Sequence, residues 1–337
     1  MYSERKPLLQ RLEEARQARV LIYVTGDRPG LETQIHAEAL EFFSTHLDSF
    51  VDSAGNFPEK ISLWLYSRGG NTLAGWSIAN LIRQFCKEFE VIVFSKAHST
   101  ATLICLGADD ILMTKQATLG PIDPSVNSPL NPQLPGAPVQ ARVPVSVEDV
   151  GGYIDLAKRE CGIVNKEQLT SIFLKLSDHV HPLALGNVFR ARTQIQNLAD
   201  KLLGMHKQPP TAEQRKKIIK VLCSESGSHD YTIARREARD KLGLRVETPS
   251  MELYSLLKDI HTDIVSELEL NARFDPMMIL GAQPQAQYCH KRALVESVSG
   301  GSHKFVSEGV IGKVVTPQGE GVHDRRTYEG WRADAPN

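Results

Sequence analysis

Residues 61–113 read ISLWLYSRGGNTLAGWSIANLIRQFCKEFEVIVFSKAHSTATLICLGADDILM. Three runs in this stretch, 61–66, 91–94 and 111–113, are short, apolar and rich in β-branched or aromatic residues, as strands buried on both faces are. Between the first two, Leu73, Trp76, Asn80, Ile82 and Phe85 recur near helical spacing. Between the last two, residues 100–107 are small and apolar. An earlier run, 20–24 (VLIYV), has the same strand character. Strand and helix alternating at this pitch predict βαβ units, and such crossovers are right-handed in a parallel sheet. The fold class is therefore α/β.

Beyond this core the composition changes. Pro129, Pro132, Pro135, Pro138 and Pro144 fall within residues 127–144 with almost no apolar periodicity, which predicts an extended loop. Ser146 to Asp149 fit a capping box, and Val147, Val150, Ile154, Ala157 and Cys161 then recur every three or four residues. A second stripe runs from Val188 through Ile195 to Leu202 and stops at Gly204, read as the residue just past a helix. A third, Leu253, Leu256, Leu257, Ile260 and Ile264, follows Thr248-Pro249, with the proline read at the first helical position. Gly300-Gly301 and Gly319-Glu320-Gly321 between short Val/Ile runs predict a small β element ahead of a loose tail. The expected division is a core over 1–125, a proline-rich loop over 126–145, a helical completion over 146–246, and a C-terminal helix with a small β element over 247–337.

Composition limits the function. The chain has 337 residues, 41% hydrophobic and 23% charged, enough apolar material for a packed core. With 39 Lys+Arg against 40 Asp+Glu the net charge is −1, which argues against a nucleic-acid binder or an anionic-membrane binder. Five scattered cysteines without a C-x-x-C pair give neither a disulfide framework nor a thiolate metal site, and suit a reducing cytoplasm. The N-terminal MYSERKPLLQRLEEARQ lacks an apolar signal core, and no charge-free apolar run reaches the roughly 18 residues of a membrane span.

Two segments bear on chemistry. In Tyr66-Ser67-Arg68-Gly69-Gly70-Asn71 a strand ends in a glycine pair before a helix. The plain reading is a tight turn needing positive φ; the functional one is a bare amide facing an anionic group. In Ala97-His98-Ser99-Thr100, a serine opens a helix after a strand. It reads either as an N-cap or as a nucleophile at the carboxyl edge of the sheet, where ligands of parallel α/β folds bind.

Together these segments resemble the crotonase-like superfamily of serine peptidases, which includes the Clp protease proteolytic subunit and signal peptide peptidase A. The 29-residue interval from Gly70 to Ser99 is similar to that between oxyanion glycine and nucleophile in the Clp subunit. Four segments are closest to the serine dehydrogenase proteinase family: 23–28 (YVTGDR), 108–111 (ADDI), 119–124 (LGPIDP) and 181–188 (HPLALGNV). The resemblance spans about residues 20–246. It implies a crotonase/Clp-protease-like parallel sheet of ββα units with helical additions and a small C-terminal β element. It also implies Ser99 as nucleophile and an oxyanion hole formed by Gly70, Thr100 and Gly69, with the amides of Gly70 and Thr100 matching its two main donors. Arg68 departs from the proline common at that turn in the better-known peptidases, but leaves the glycine amides in place.

The general base is not fixed by the resemblance. The stretch matching the Clp subunit's histidine strand, 119–123, contains no histidine. Three candidates stay open: His229 and Asp230, the latter at the position of the Clp triad acid, and Lys158 on the helix after the proline-rich loop. Each also has a plain reading, as a loop residue, an N-cap and a solvated lysine. His179 and His181, two residues apart, do not share a helix face and make a poor metal pair; His181 with Arg190 reads as a structural contact or pocket element. The implied activity is a serine endopeptidase-like hydrolase acting on peptides or proteins, needing no cofactor. It would be a homo-oligomer that admits a partner ATPase. Two other classes fit the same fold: a crotonase-like acyl-CoA enzyme, and a catalytically inactive scaffold.

Overall fold

A computed structural model describes residues 1–122, 125, 126, 128–133, 136, 141–225, 228, 230–316 and 319–334. The first half runs α1 (Tyr2–Arg16), β1 (Arg19–Thr25), α2 (Ala39–Asp48), β2 (Lys60–Tyr66), α3 (Thr72–Gln84), β3 (Glu88–Val93), β4 (Lys96–Ala97), α4 (Thr100–Leu106), β5 (Asp110–Met113), β6 (Thr118–Leu119) and β7 (Ser125–Val126). The second runs β8 (Val145–Ser146), α5 (Val147–Asp155) continuing as a π-helical turn (Leu156–Glu160), α6 (Lys166–His179), α7 (Pro182–Gly204), α8 (Ala212–Lys220), β9 (Ile233–Ala234), α9 (Arg235–Asp240), β10 (Val246–Glu247), α10 (Met251–Glu267), α11 (Pro276–Leu280), β11 (Gln285–Ser297), β12 (Gly301–Thr316) and β13 (Gly319–Ala333).

The central sheet has eight strands in the order β10-β5-β3-β2-β1-β11-β12-β13. Its first five strands are parallel, and β11 joins β1 antiparallel, with Tyr23 opposite Val295. Alternation along each parallel strand divides the interior in two. Leu21, Tyr23, Ile61, Leu63 and Leu65 face α2, α3, α4 and α7, while Ile22, Val24, Trp64 and Ile92 face α1 and α10. Burial on both faces is why these strands read as unbroken apolar runs in the sequence.

Several sequence expectations change. The third helix begins at Met251, because Ser250 caps it by accepting from Leu253 N at 3.1 Å; Pro249 therefore lies before the cap. Gly204 is the last residue of α7, with Met205 capping. His181 caps the start of α7 through Nδ1, which accepts from Leu183 N at 3.2 Å, while Arg190 turns to Asn187. The ends of the proline-rich loop are tied together by β7 pairing with β8 and by a Gln133–Arg142 bridge. The C-terminal β element is larger than read: three long strands extend the central sheet, and most of the segment read as tail is β13.

A charge cluster fastens the C-terminal strands to α1. The buried Arg5 guanidinium donates to Glu296 at 2.8 and 2.7 Å and to Glu267 at 2.8 Å, and pairs with Asp263. Lys304 pairs with Glu267 at 2.6 Å. Removing one member of a buried ion network strands the others without a partner. Arg5→Ala should therefore lower unfolding stability by about 3–5 kcal/mol, measured by urea titration; Arg5→Lys should recover part of it.

A second tie joins α2 to the same strands. His46 is fully buried, bonded through Nδ1 to Ser297 Oγ at 2.7 Å and through Nε2 to His303 Nδ1 at 3.0 Å. Burial, with His303 alongside, pushes the His46 pKa down from 6.5 to about 4. The unfolded chain thus takes up a proton that the folded one refuses. The stability this site contributes is complete above pH 6.5 and is lost as pH falls toward 4, on the order of 3 kcal/mol in all. Urea midpoints at pH 7 and pH 4.5 should differ less for His46→Gln than for the wild type.

Candidate active site

The loops leaving β2 and β3 lie side by side at the carboxyl edge of the sheet. Ser67 N donates to Lys96 O at 3.3 Å, and His98 N donates to Ser67 O at 3.0 Å. On its other side the glycine turn is pinned by residue 35: Ile35 N donates to Gly69 O and Asn71 N donates to Ile35 O, both at 2.8 Å. Asn71 then caps α3, its side chain accepting from Ala74 N at 2.9 Å.

Both glycines are sterically required. Gly69 has φ 114° and Gly70 φ 151°. A Cβ on Gly69 would lie 2.7 Å from Ser99 Cβ, and one on Gly70 would lie 2.4 Å from Ile35 O. The first contact shows how closely the turn approaches the serine.

Ser99 has φ 52° and ψ −118°, a backbone conformation a non-glycine residue holds only when its surroundings impose it. It precedes α4 without capping it through its side chain, so the plain N-cap reading does not apply. Among the described residues, Ser99 Oγ has no hydrogen-bond partner, and the amides of Gly70 and Thr100 donate to none. Thr100 Oγ1 donates to Gly70 O at 2.7 Å, fastening the two amide-bearing residues to each other.

The other expected site residues are placed differently. The Gly69 amide donates to Ser67 Oγ at 2.9 Å; it is committed to holding the turn and is not an open donor, contrary to the sequence reading. Ser67 Oγ in turn accepts from Thr25 Oγ1 at 2.7 Å, bringing the end of β1 into the same lock. Lys158 is exposed on the π-helical turn, beside a groove bounded by α5, α6 and α7, and has no hydrogen bond or ion pair to Ser99. Asp230 is exposed, its amide donating to Ser228 Oγ at 3.2 Å. It leads into β9, which pairs with β6, which pairs with β4 ahead of Ser99. His229 lies outside the described residues. Among the described residues, no group of three or more His, Cys, Asp or Glu side chains could hold a metal ion.

Sequence reasoning passed over Asp27 and Lys96. Lys96 Nζ donates to Asp27 Oδ2 at 2.8 Å, three residues before Ser99. It passed over the setting of His98 as well. His98 Nε2 lies 2.9 Å from Thr118 Oγ1, and a Cβ on Gly120 would sit 3.2 Å from the His98 Cβ.

Residues 49–145, which contain both Gly70 and Ser99, match the family model of a ClpP-like SDH-type serine proteinase. This bears out the resemblance to the serine dehydrogenase proteinase family. An uncharacterised protein of Methanocaldococcus jannaschii is 30% identical over 199 residues, 59% of this chain and 57% of that protein. A second from the same organism is 28% identical over 199 residues, 59% of this chain and 56% of its own. The chain thus spans a little over half the length of the curated relatives it matches. Among solved structures, a mutant of the 1510-N membrane-bound stomatin-specific protease aligns with TM-score 0.39 and 18% identity over 72% of this chain and 84% of that one. A ClpP1 mutant from Listeria monocytogenes aligns with TM-score 0.37 and 14% identity over 73% and 99%.

The packing predicts that Gly69→Ala forces the turn away from Ser99, because its methyl cannot share space with the serine Cβ. Strain and displacement together should cost on the order of 1–3 kcal/mol in thermal unfolding. Gly55→Ala, at another positive-φ glycine with nothing within 4 Å, serves as the control for backbone strain without a clash.

Proposed function

We propose that this protein is a serine endopeptidase-like hydrolase acting on peptide or protein substrates in the cytoplasm, with Ser99 as nucleophile. The observation that carries the reading is the arrangement around this residue. An unbonded hydroxyl on a strained backbone lies against the Gly69-Gly70 turn, and among the described residues the amides of Gly70 and of the adjoining Thr100 donate to nothing else.

Ser99 Oγ attacks the scissile carbonyl carbon, and the carbonyl oxygen, now an anion, accepts from the Gly70 and Thr100 N–H groups. Each such donor is worth roughly 3 kcal/mol of barrier in enzymes where one has been removed. The serine proton passes to a base and from it to the departing amine, and the same base then activates the water that hydrolyses the acyl-enzyme. The segment of His229 and Asp230 is the proposed source of that base, since β9 runs two strands from the Ser99 loop. An imidazole is the side chain that most often takes a serine's proton, and a carboxylate serves better to orient such a base than to be one. Lys158, exposed in the helical layer, is the weaker choice.

Assembly into homo-oligomers belongs to the same proposal. Large apolar side chains on α6 and α7 stand in solvent in the isolated chain: Phe173 is 51%, Leu174 59%, Leu183 64% and Phe189 71% exposed. Phe173 and Phe189 line one groove between α5, α6 and α7, and exposed apolar side chains gathered in this way are characteristic of a surface that another chain covers. Among the described residues no helix is long and apolar enough to cross a membrane.

A fluorophosphonate probe tests the catalytic reading. The wild type should be labelled at Ser99, as located by peptide mass spectrometry, and Ser99→Ala should take no label. Gly70→Ala, whose methyl meets the Ile35 backbone and so displaces the amide, should slow labelling by about 100-fold, the loss typical of one oxyanion donor. A folded wild-type protein that stays unlabelled at high probe concentration defeats the proposal.

A further inference from the structure

Asp27 stands at the end of β1, on the strand next to the one that carries the glycine turn. Gly26 fixes its position: Gly26 N donates to Arg292 O at 2.8 Å, Thr33 N donates to Gly26 O at 2.8 Å, and a Cβ on Gly26 would lie 2.5 Å from Arg292 O. The backbone leading to Asp27 is therefore held against β11 on one side and the 33–36 segment on the other.

The carboxylate faces three donors, two from the end of β2 and the turn that follows it and one from β4. Tyr66 Oη donates to Oδ1 at 2.7 Å and Lys96 Nζ donates to Oδ2 at 2.8 Å. Arg68 Nε pairs with Oδ2 at 3.1 Å. Tyr66 and Arg68 flank Ser67 and lead into Gly69-Gly70. Lys96 begins the segment that reaches Ser99. One carboxylate thus grips both arms of the candidate oxyanion site, and Lys96 also lies 5.3 Å from the centre of the Tyr66 ring.

We propose that Asp27 is a positioning residue for the Ser99 site, setting the spacing between the Gly70 amide and the serine loop by clamping Arg68 and Lys96 together. The inference rests on the catalytic reading above for its meaning in turnover, but the clamp itself is a separate physical claim. Asp27 touches neither Ser99 nor the two open amides, so it acts through the loops. The clamp is charged at neutral pH. Burial pushes the Asp27 carboxyl up, but the hydrogen bonds from Lys96 and Tyr66 and the charges of Lys96 and Arg68 more than reverse this, leaving it below its ordinary range. Near-attack geometry tolerates little displacement, so loosening a frame about the site costs rate without removing a reacting group.

Asp27→Asn in the full chain tests this. It keeps an acceptor for Tyr66 and removes the charge that holds the two cations. Fluorophosphonate labelling should slow 10- to 100-fold, and Asp27→Glu should recover part of the rate. Lys96→Met and Arg68→Gln should each slow labelling several-fold, and should add nothing further in the Asp27→Asn background. The backbone amide resonances of Gly70 and Thr100 in a ¹⁵N-correlation spectrum should shift in Asp27→Asn, a readout independent of turnover. Should Asp27→Asn fail to fold, Arg68→Gln at its exposed position and Lys96→Met decide by the same two measurements. Unchanged labelling together with unmoved Gly70 and Thr100 resonances overturns the clamp. A wild type that takes no label but whose two resonances move in Asp27→Asn overturns the catalytic reading and leaves the clamp standing.

Discussion

The candidate site depends on one backbone exchange, in which Ser67 donates to Lys96 and accepts from His98. These two bonds prolong the pairing of β2 and β3 past the ends of the strands and into the loops. Without them the glycine turn and the serine loop would be two independent connections at one edge of a sheet. With them, the Gly70 amide and the Ser99 hydroxyl belong to one frame. The serine's positive φ is the local strain that this frame sustains.

Around that exchange the side chains add further ties. Ser67 Oγ takes the Gly69 amide and the Thr25 hydroxyl, so the middle residue of the lock also holds the turn. Thr100 Oγ1 reaches back to Gly70 O. Gly75 admits Thr100 against α3, where a Cβ would stand 2.3 Å from Thr100 Cγ2. Polar bonds set the positions of the amides, and close packing keeps α4 from sliding along α3.

The two cores on either side of the sheet have different makers. One is closed by α2, α3 and α4 of the alternating core sequence together with α7 from the later helical segment. The other is closed by α1 and α10, from near the two ends of the chain, through Leu9, Leu12, Leu257 and Ile260. The charge cluster of Arg5, Glu267, Glu296 and Lys304 fastens these ends to β11 and β12. Since β11 pairs with β1 and presents Arg292 O to Gly26, the C-terminal strands also brace the residue that precedes Asp27. Gly26 and Asp27 are thus supported from a part of the chain more than 200 residues away in sequence.

The sequence by itself determined the parallel strands, because burial on both faces leaves only apolar residues along 20–24, 61–66, 91–94 and 111–113. It also determined the two segments that meet at the site, because a glycine pair and a serine followed by small residues at a helix start are local requirements of tight backbone approach. The reach of α1 was not legible, since its buried arginine looks like any surface charge until its carboxylates arrive from residues 263, 267 and 296. Nor were the long C-terminal strands, whose residues range from fully buried at 293–297 in β11 to largely exposed along β13, so that no long apolar run marks them. Only the tertiary structure decided that the Gly69 amide is spent on Ser67 while those of Gly70 and Thr100 stay open, and that Asp27 joins Arg68 to Lys96. Hydrogen bonds and ion pairs between loops depend on which loop ends the fold sets side by side, and no periodicity along the chain encodes that distance.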